Sequence, residues 1–243
     1  MIGVFDHRRR APGRGIVRVA SWDFGSLLCD GVLSLLYRFR VEGRHNVPRT
    51  GPVIFVANHQ SLLDPMIHGI AVTDRAPRPM AREGLFRNPA LGAGLRAISC
   101  IMVREEGGNM ETMRLALEEL RMGRTVMLYP EGTRSADGEV HEFQRGVQLL
   151  VRRSGAPVVP MGIDGAFAIW PRTQRLPYFS GRIWAAIGEP IFQTEWERDF
   201  AHGAEGLEAL RRRVECLVLQ CRSRLARFNR SGDTASPDEA WLS

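Results

Sequence analysis

The feature that most constrains the fold is an apolar run at 53–57, which passes through a short polar segment into a second apolar segment at 66–72. The first run predicts a buried strand and the second predicts the start of a helix. Similar alternation continues to the end of the chain, with predicted strands at 98–103, 125–129, 156–163 and 182–187 and predicted helices from 107, at 143–153 and at 206–228. This pattern predicts an α/β fold with a largely parallel central sheet flanked by helices.

The polar segment between the first strand and helix contains His59 and Asp64, which are five positions apart. If Ser61 caps the helix, Asp64 lies in its first turn and its side chain can turn toward the imidazole. An Asp bonded to a histidine fixes its tautomer, so the pair is a candidate general base with an orienting acid. The alternative is that Ser61 and Asp64 form only a capping box and that His59 is structural.

Two other predicted strands also end in polar residues. Arg104 follows the strand at 98–103, and Glu131 and Arg134 follow the strand at 125–129. If these strands are parallel neighbours of the first, all of these side chains converge at one edge of the sheet. Paired guanidinium groups suit a phosphate. Alternatively, Arg104 lies at a solvated strand end, and Glu131 and Arg134 form a local salt bridge.

Composition limits the classes of protein that fit. A chain of 243 residues suits one domain, and 33 basic residues, all of them arginine, against 27 Asp and Glu give a net charge of +6. A basic protein favours anionic partners: nucleic acid, acidic lipid surfaces or phosphorylated substrates. The four cysteines have no C-x-x-C spacing, which predicts reduced thiols and argues against a zinc site.

The segment at 21–40 is apolar and aromatic, although Asp23 and Asp30 interrupt it. It is shorter than the about 20 uncharged residues that a membrane-spanning helix needs. It fits either a helix lying in the membrane interface, with the flexible basic arm at 1–20 on anionic headgroups, or a helix packed on the domain. The remaining chain is predicted to form a domain at 41–228 and a polar tail at 229–243.

Together, these segments resemble the signatures of the glycerol-phosphate and lysophosphatidate acyltransferase family. The stretch 58–64, with its His and Asp separated by four residues, resembles the first signature, and Pro-Glu-Gly-Thr-Arg-Ser at 130–135 resembles the third. Segments 99–104 and 158–162 occupy the places of the second and fourth. Order and spacing agree across residues 40–190.

The resemblance implies transfer of a fatty acyl group from acyl-carrier protein or acyl-CoA to the free hydroxyl of 1-acyl-glycerol-3-phosphate, giving phosphatidate. His59 would be the general base, acting directly on the hydroxyl, and Asp64 would orient it. No metal or bound cofactor is required. The family's substrate-binding positions correspond here to Asn58, Arg104, Glu131, Gly132, Thr133 and Arg134, with Arg82 and Arg145 as additional support for the phosphate.

Members of the family are membrane-bound, so the resemblance favours the interfacial helix, an anionic membrane surface as partner and a place on the cytoplasmic face of the cell membrane. Some positions depart from the pattern. Ser99 stands where Gly is frequent, Arg82 where Lys is frequent, and Gln144 precedes Arg145 where a second Lys is common. These departures bear on the identity of the acceptor.

Three alternatives remain. One is a sister acyltransferase for another lyso-lipid, such as a lysophospholipid or an amino-acid lipid. Another is a basic nucleic-acid-binding protein, suggested by the net charge and by the arginines at 211–213. It lacks a nucleic-acid-binding motif and leaves the His/Asp and Glu/Arg signatures unexplained, so we expect no nucleic-acid partner. The third is an inactive relative, against which the intact His59 and Asp64 argue.

Overall fold

The structure is a computed structural model that describes residues 12–13, 15–72, 75, 77, 80–97, 100–103 and 108–230. Its strands are β1 (Arg40–Glu42), β2 (Val53–Ala57), β3 (Met80–Arg82), β4 (Ile101–Val103), β5 (Thr125–Leu128), β6 (Val158–Asp164) and β7 (Trp184–Ile187). Its helices are α1 (Ile16–Tyr37), α2 (Asp64–Ala71), α3 (Pro89–Ala97), α4 (Gly108–Arg121), α5 (Gly146–Ser154), α6 (Ala166–Ile169), α7 (Gln193–Asp199) and α8 (Gly203–Arg230). Short 3-10 helices occupy Arg44–Asn46 and Glu83–Arg87.

The main sheet has five strands in the order β1-β7-β6-β2-β5. Strand β2 runs parallel to both β5 and β6, and β1 runs parallel to β7. Among the paired strands of this sheet that the structure describes, β6 and β7 are the ones that run antiparallel. The prediction of a largely parallel α/β sheet is therefore confirmed, with one reversed pair that periodicity could not indicate.

Strand β4 does not join this sheet. It pairs with β3 in a separate parallel two-stranded sheet, in which Arg82 lies opposite Val103. The expectation that the strand before Arg104 is a neighbour of β2 is wrong, because β5 and β6 already occupy both hydrogen-bonding edges of β2. Arg104 itself lies outside the described residues.

Strand β2 is buried on both faces, and its alternate residues enter two different cores. Ile54 and Val56 face the layer built by α4, α5, α7 and α8. Val53, Phe55 and Ala57 face the opposite side, where the end of α2 packs. A strand covered on both sides reads as a continuous apolar run, which is why its bounds were predictable from sequence.

Helix α1 packs one face on the domain and leaves the other exposed. Leu33 and Tyr37 are buried in a cluster with Ile67 and Ile163, whereas Phe24 and Leu35 are 72% and 83% exposed. The interpretation as a helix packed on the domain thus holds for one face, and the membrane-interface interpretation stays a prediction for the other. The helix begins at Ile16, inside the range predicted as a flexible arm, and residues 1–11 of that arm lie outside the described part of the chain.

By length and composition, the stretch Val19–Tyr37 could cross a membrane. This is weak evidence, because the core helix of a soluble protein passes the same test. About a fifth of the stretch is buried inside the protein. A face that packs on the domain cannot also face lipid.

Several elements have no strong sequence signal. Strand β1 and helices α6 and α7 were not predicted, and each has fewer than eight residues. Segments this short contain too few periods for an apolar pattern to be recognised. The predicted polar tail falls partly within α8, which continues to Arg230, and residues 231–243 lie outside the described chain.

Helix α8 crosses the main sheet at Gly162 of β6. A Cβ atom at this position would lie 2.6 Å from the backbone carbon of Leu217 and 2.6 Å from the backbone nitrogen of Val218. The close approach of helix and strand therefore depends on the absence of a side chain at Gly162.

We expect Gly162→Ala to lower the free energy of unfolding by about 1–3 kcal/mol, because backbone atoms must shift to admit the methyl group. Urea denaturation of the purified protein measures the change. Gly146→Ala is the matched control, since a Cβ there meets nothing within 4 Å, and we expect it to be neutral or slightly stabilising. Equal stability of the two variants would contradict this account of the contact.

Candidate active site

The site begins where β2 ends, and Asn58 connects this end to strand β6. Its Nδ2 donates to the carbonyl of Ile163 at 3.0 Å, and its Oδ1 accepts the Ile163 amide at 2.9 Å. Asn58 is only 2% exposed. All of these contacts are with the protein, which favours a structural role over the predicted contact with substrate.

Asp64 is the first residue of α2 and is completely buried. Its Oδ2 accepts the backbone amides of Gln60 at 2.6 Å and Ser61 at 2.7 Å, and it contacts His59 Nδ1 at 2.7 Å. The predicted contact between His59 and Asp64 is confirmed. The same oxygen also accepts the Ser61 amide, which is one of the bonds of a capping box. Asp64 can therefore both orient His59 and cap the turn.

Ser61 does not cap α2 in the predicted way, because the residue before the helix is Leu63. The Ser61 hydroxyl instead donates to the carbonyl of Trp170 at 2.9 Å and accepts the Leu63 amide at 3.2 Å. It therefore connects the turn between β2 and α2 to the chain that follows α6.

The contacts of Asp64 assign the tautomer of His59. Because Asp64 Oδ2 accepts two backbone amides, its partner on the imidazole must also be a donor, so His59 Nδ1 carries the proton. The lone pair is then on Nε2. Burial raises the pKa of the Asp64 carboxyl, against the opposing effect of the hydrogen bond from His59, and a more basic carboxylate binds the Nδ1 proton more strongly.

The loop after β5 holds the main chain of His59 from both sides. The His59 amide donates to Glu131 Oε1 at 2.9 Å, and the Ser135 amide donates to the His59 carbonyl at 2.7 Å. Glu131 and Ser135 are 8% and 3% exposed. The imidazole, whose side chain is 19% exposed, is therefore presented to solvent from a fixed backbone.

Glu131 also accepts the His141 amide, through Oε2 at 3.2 Å. Burial raises the pKa of this carboxyl, although the hydrogen bonds to the two amides oppose the shift. The described contacts of Glu131 thus connect parts of the loop with His59, which differs from the alternative interpretation of a local salt bridge with Arg134. The predicted contact of Glu131 with substrate stays a prediction.

Tyr129 and His68 are residues of the site that sequence reasoning missed. The Tyr129 ring stacks on the His59 imidazole, with ring centroids 4.2 Å apart and planes inclined by 24°. Its hydroxyl is hydrogen-bonded to Nδ1 of the buried His68 at 3.1 Å. The aromatic residue directly before the 130–135 signature was the available signal for Tyr129. His68 offered none, because a histidine in an apolar helix is most often structural.

Burial lowers the pKa of His68 to about 3, so this histidine is neutral at physiological pH. A neutral ring within the core avoids placing a positive charge beside His59. In the described chain, His68 Nε2 has no hydrogen-bond partner.

The structure describes the side chains of Arg134 and Arg145, and only the backbone of Arg82, among the arginines predicted to bind phosphate. Arg134 is half-buried, and its Nη1 atom is inaccessible to solvent and has no hydrogen-bond partner among the described residues. Arg145 is exposed just before α5. The backbone of Arg82 ends β3, but its side chain is not described.

Gly132 and Thr133 lie exposed in the loop next to Arg134. Gly132 has a φ of +75°, which a residue with a side chain rarely adopts, so this position of the turn favours glycine. Both residues are near the site, and their contact with substrate stays a prediction.

Within the ranges that the structure describes, no group of three or more His, Cys, Asp or Glu side chains could hold a metal ion. In the described part of the chain, Cys29, Cys100, Cys216 and Cys221 form no disulfide bond.

A family model described as Acyltransferase matches residues 38–164, slightly more than half of the chain. The solved structure of the 1-acyl-sn-glycerophosphate (LPA) acyltransferase PlsC from Thermotoga maritima is 27% identical and superposes with a TM-score of 0.71. That comparison covers 91% of this chain and 86% of the other.

Curated relatives have similar names. The 1-acyl-sn-glycerol-3-phosphate acyltransferase of Bacillus subtilis is 26% identical over 171 residues, which is 70% of this chain and 80% of that protein. The chloroplastic 1-acyl-sn-glycerol-3-phosphate acyltransferase of Arabidopsis thaliana is 27% identical over 158 residues, which is 64% of this chain and 44% of that protein. The match thus spans less than half the length of the plant relative.

The buried neutral His68 predicts a dependence of stability on pH. Its pKa in the folded state, about 3, lies below the ordinary value of 6.5, so the unfolded chain binds an extra proton between these values and the protein loses stability as pH falls. As the pH falls from about 7 to about 5.5, we expect protonation of His68 in the unfolded chain to lower the free energy of unfolding by about 1 kcal/mol.

Urea denaturation at the two pH values, for the wild type and for His68→Phe, measures this contribution. The variant cannot titrate at this position, so its stability should fall less. His202→Asn, on the surface, is the control and should behave as the wild type. The same pH dependence in His68→Phe would rule out His68 as the cause.

Proposed function

The chain belongs to the acyltransferase family, and on this premise we propose that it transfers a fatty acyl group from an acyl thioester to the free hydroxyl of 1-acyl-glycerol-3-phosphate, giving phosphatidate. The observation that carries the proposal is the 2.7 Å contact between His59 Nδ1 and Asp64 Oδ2. It leaves Nε2 unprotonated on an imidazole that is accessible to substrate. The names of the matched relatives support the same reaction.

In the proposed mechanism, His59 Nε2 takes the proton of the acceptor hydroxyl while its oxygen attacks the thioester carbonyl. The new C–O bond forms, the C–S bond breaks, and the imidazolium returns the proton to the departing thiolate. Asp64, buried against Nδ1, stabilises the imidazolium between these steps. The acyl group passes directly to the acceptor, without an acyl-enzyme intermediate.

The phosphate of the acceptor is proposed to bind Arg134. Arg134 is half-buried in the loop that holds His59, and the accessible part of a guanidinium can bind a phosphate through paired N–H groups. Arg82, Arg104 and Arg145 complete the proposed phosphate site. The proposal needs no metal ion or bound cofactor, and the acyl donor is acyl-CoA or acyl-carrier protein.

Membrane association at the cytoplasmic face is the remaining part of the proposal. Helix α1 combines a buried face on the domain with an exposed apolar face, which favours a helix lying in the interface over one that crosses the bilayer. The exposed face carries Ile16, Val17, Phe24, Leu27, Leu28, Val32 and Leu35. An enzyme held at the interface meets its amphiphilic acceptor where that acceptor is concentrated.

An acyl-transfer assay with palmitoyl thioester and lysophosphatidate tests the function, with lysophosphatidylcholine and lysophosphatidylethanolamine in parallel. Product from lysophosphatidate alone is expected. Product from another lyso-lipid alone would overturn the acceptor and keep the chemistry. No product from any acceptor would overturn the function.

Replacement of His59 by Ala should lower kcat by about a thousandfold or more, because it removes the proposed base. The change should leave the far-ultraviolet circular dichroism unchanged. His141→Ala is the matched control, since His141 also contacts an aspartate, with Nε2 2.9 Å from Asp137 Oδ1, but that pair is exposed. Near-normal turnover by the His59 variant would remove His59 as the base.

Arg134→Ala should raise the KM for lysophosphatidate by about ten- to a hundredfold, because a charge-assisted hydrogen bond to phosphate is lost. The KM for the thioester should change little. Arg152→Ala, an exposed arginine on α5, is the control. A raised thioester KM with an unchanged acceptor KM would contradict the phosphate role of Arg134.

A further inference from the structure

The loop at 171–182, between α6 and β7, exposes three large apolar side chains within four residues. Leu176 is 69% exposed, Tyr178 is 61% exposed and Phe179 is 71% exposed. Removing large apolar side chains from water is favourable, so the exposure of three of them in one loop needs an explanation.

Hydrogen bonds give this loop a defined shape. The Tyr178 amide donates to the Ile169 carbonyl at 3.0 Å, and the Trp170 indole donates to the Gln174 carbonyl at 3.1 Å. The Gln174 amide in turn donates to the Pro171 carbonyl at 3.2 Å. The loop therefore presents the apolar side chains outward from a backbone that is fixed at several points.

The loop is also basic. It contains Arg172, Arg175 and Arg182 and no acidic residue. Arg172 and Arg175 are exposed beside the apolar side chains. Apolar groups among arginines match a surface that offers both anionic groups and hydrocarbon, which is the composition of an anionic lipid interface.

The apolar surface of the loop is continuous with that of α1. A cleft of about 400 Å³ lies between the end of α1, at Leu35 and Arg38, and the loop residues 179–182. Leu35 also belongs to a groove of about 460 Å³ along the exposed face of α1, which includes Phe24 and Leu28. Leu35 therefore joins the two apolar surfaces.

The same loop touches the candidate active site at its other end. Arg172 Nη1 donates to the Arg134 carbonyl at 3.4 Å. The Ser61 hydroxyl, in the turn that carries His59, donates to the carbonyl of Trp170, just before the loop. The loop thus extends from the exposed face of α1 to the residues proposed to bind the acceptor.

We propose that the loop at 171–182 is a second membrane contact, which docks on an anionic bilayer together with α1. Leu176, Tyr178 and Phe179 enter the boundary between headgroups and acyl chains, while Arg172 and Arg175 meet lipid phosphates. The biological role of this contact rests on the proposed function, because the docked loop would turn the acceptor site toward the surface that contains lyso-lipid. The docking itself is a separate physical property of the chain.

Flotation with vesicles of phosphatidylglycerol and phosphatidylcholine tests the docking. The combined variant Leu176→Ser, Tyr178→Ser and Phe179→Ser should lower the vesicle partition coefficient by about tenfold or more. The matched control replaces three exposed apolar residues elsewhere, Met110→Ser, Met122→Ser and Leu219→Ser, and should bind as the wild type. Unchanged binding by the loop variant, or an equal loss in the control, would overturn the proposal.

A second variant, Arg175→Glu, tests the charge without removing apolar surface. It should weaken binding to the anionic vesicles and leave the weaker binding to pure phosphatidylcholine vesicles unchanged. If both loop variants bind vesicles normally but raise the KM for acyl-carrier protein thioester, the surface serves an acidic carrier protein and the bilayer proposal is wrong.

Activity separates this inference from the proposed function. With a short-chain lysophosphatidate that is monomeric in water, the triple loop variant should keep near-normal turnover, while transfer to lysophosphatidate in vesicles should fall with the loss of binding. If the wild type transfers to no acceptor but the loop variants still lose vesicle binding, the proposed function fails and the membrane contact stands. An equal loss of turnover with the soluble and the vesicle acceptor would instead overturn the proposal that the loop acts through membrane binding.

Discussion

The site depends on how the loop after β5 holds the backbone of His59. One carboxylate oxygen of Glu131 receives the His59 amide, and the Ser135 amide binds the His59 carbonyl. These bonds form because β2 and β5 are parallel neighbours, so the segments that follow them leave the sheet at the same edge. Without the loop, neither of these bonds to the His59 backbone would form. The signature residues at 130–135 therefore act first by fixing where the imidazole lies.

Asp64 combines a structural and a chemical task in one buried oxygen. Two backbone amides of the preceding turn and the imidazole all bind Oδ2, so the formation of the turn and the orientation of His59 are a single event. Tyr129 stacks on one face of the ring, and its hydroxyl is hydrogen-bonded to His68, which is neutral because burial lowers its pKa to about 3. The imidazole is thus limited in translation by the backbone bonds, in rotation by Asp64 and in tilt by Tyr129.

Helix α1 and the loop at 171–182 both expose large apolar side chains, and the loop contacts the site at Arg134. The sequence indicated the helix but left its environment open between the domain and the membrane. In the structure one face of the helix packs on the domain and the other is exposed, since Leu33 and Tyr37 are buried and Leu35 is 83% exposed. An interfacial enzyme with this geometry would draw an amphiphilic acceptor from the surface without removing its acyl chain fully from lipid.

The sequence by itself determined the elements with strong periodicity or strict local chemistry. The bounds of β2 were predicted because a strand buried on both faces is a continuous apolar run, and the pairing of His59 with Asp64 followed from a local turn. The tertiary structure alone decided which strands are neighbours, the reversal of β7 against β6 and the placing of β4 in a separate sheet. It also decided that Glu131 binds the backbone of His59, and that Tyr129 lies under its ring. These features depend on contacts between residues that are far apart in the chain, such as Asn58 and Ile163, which are 105 positions apart. Local sequence patterns carry no information about partners at that distance.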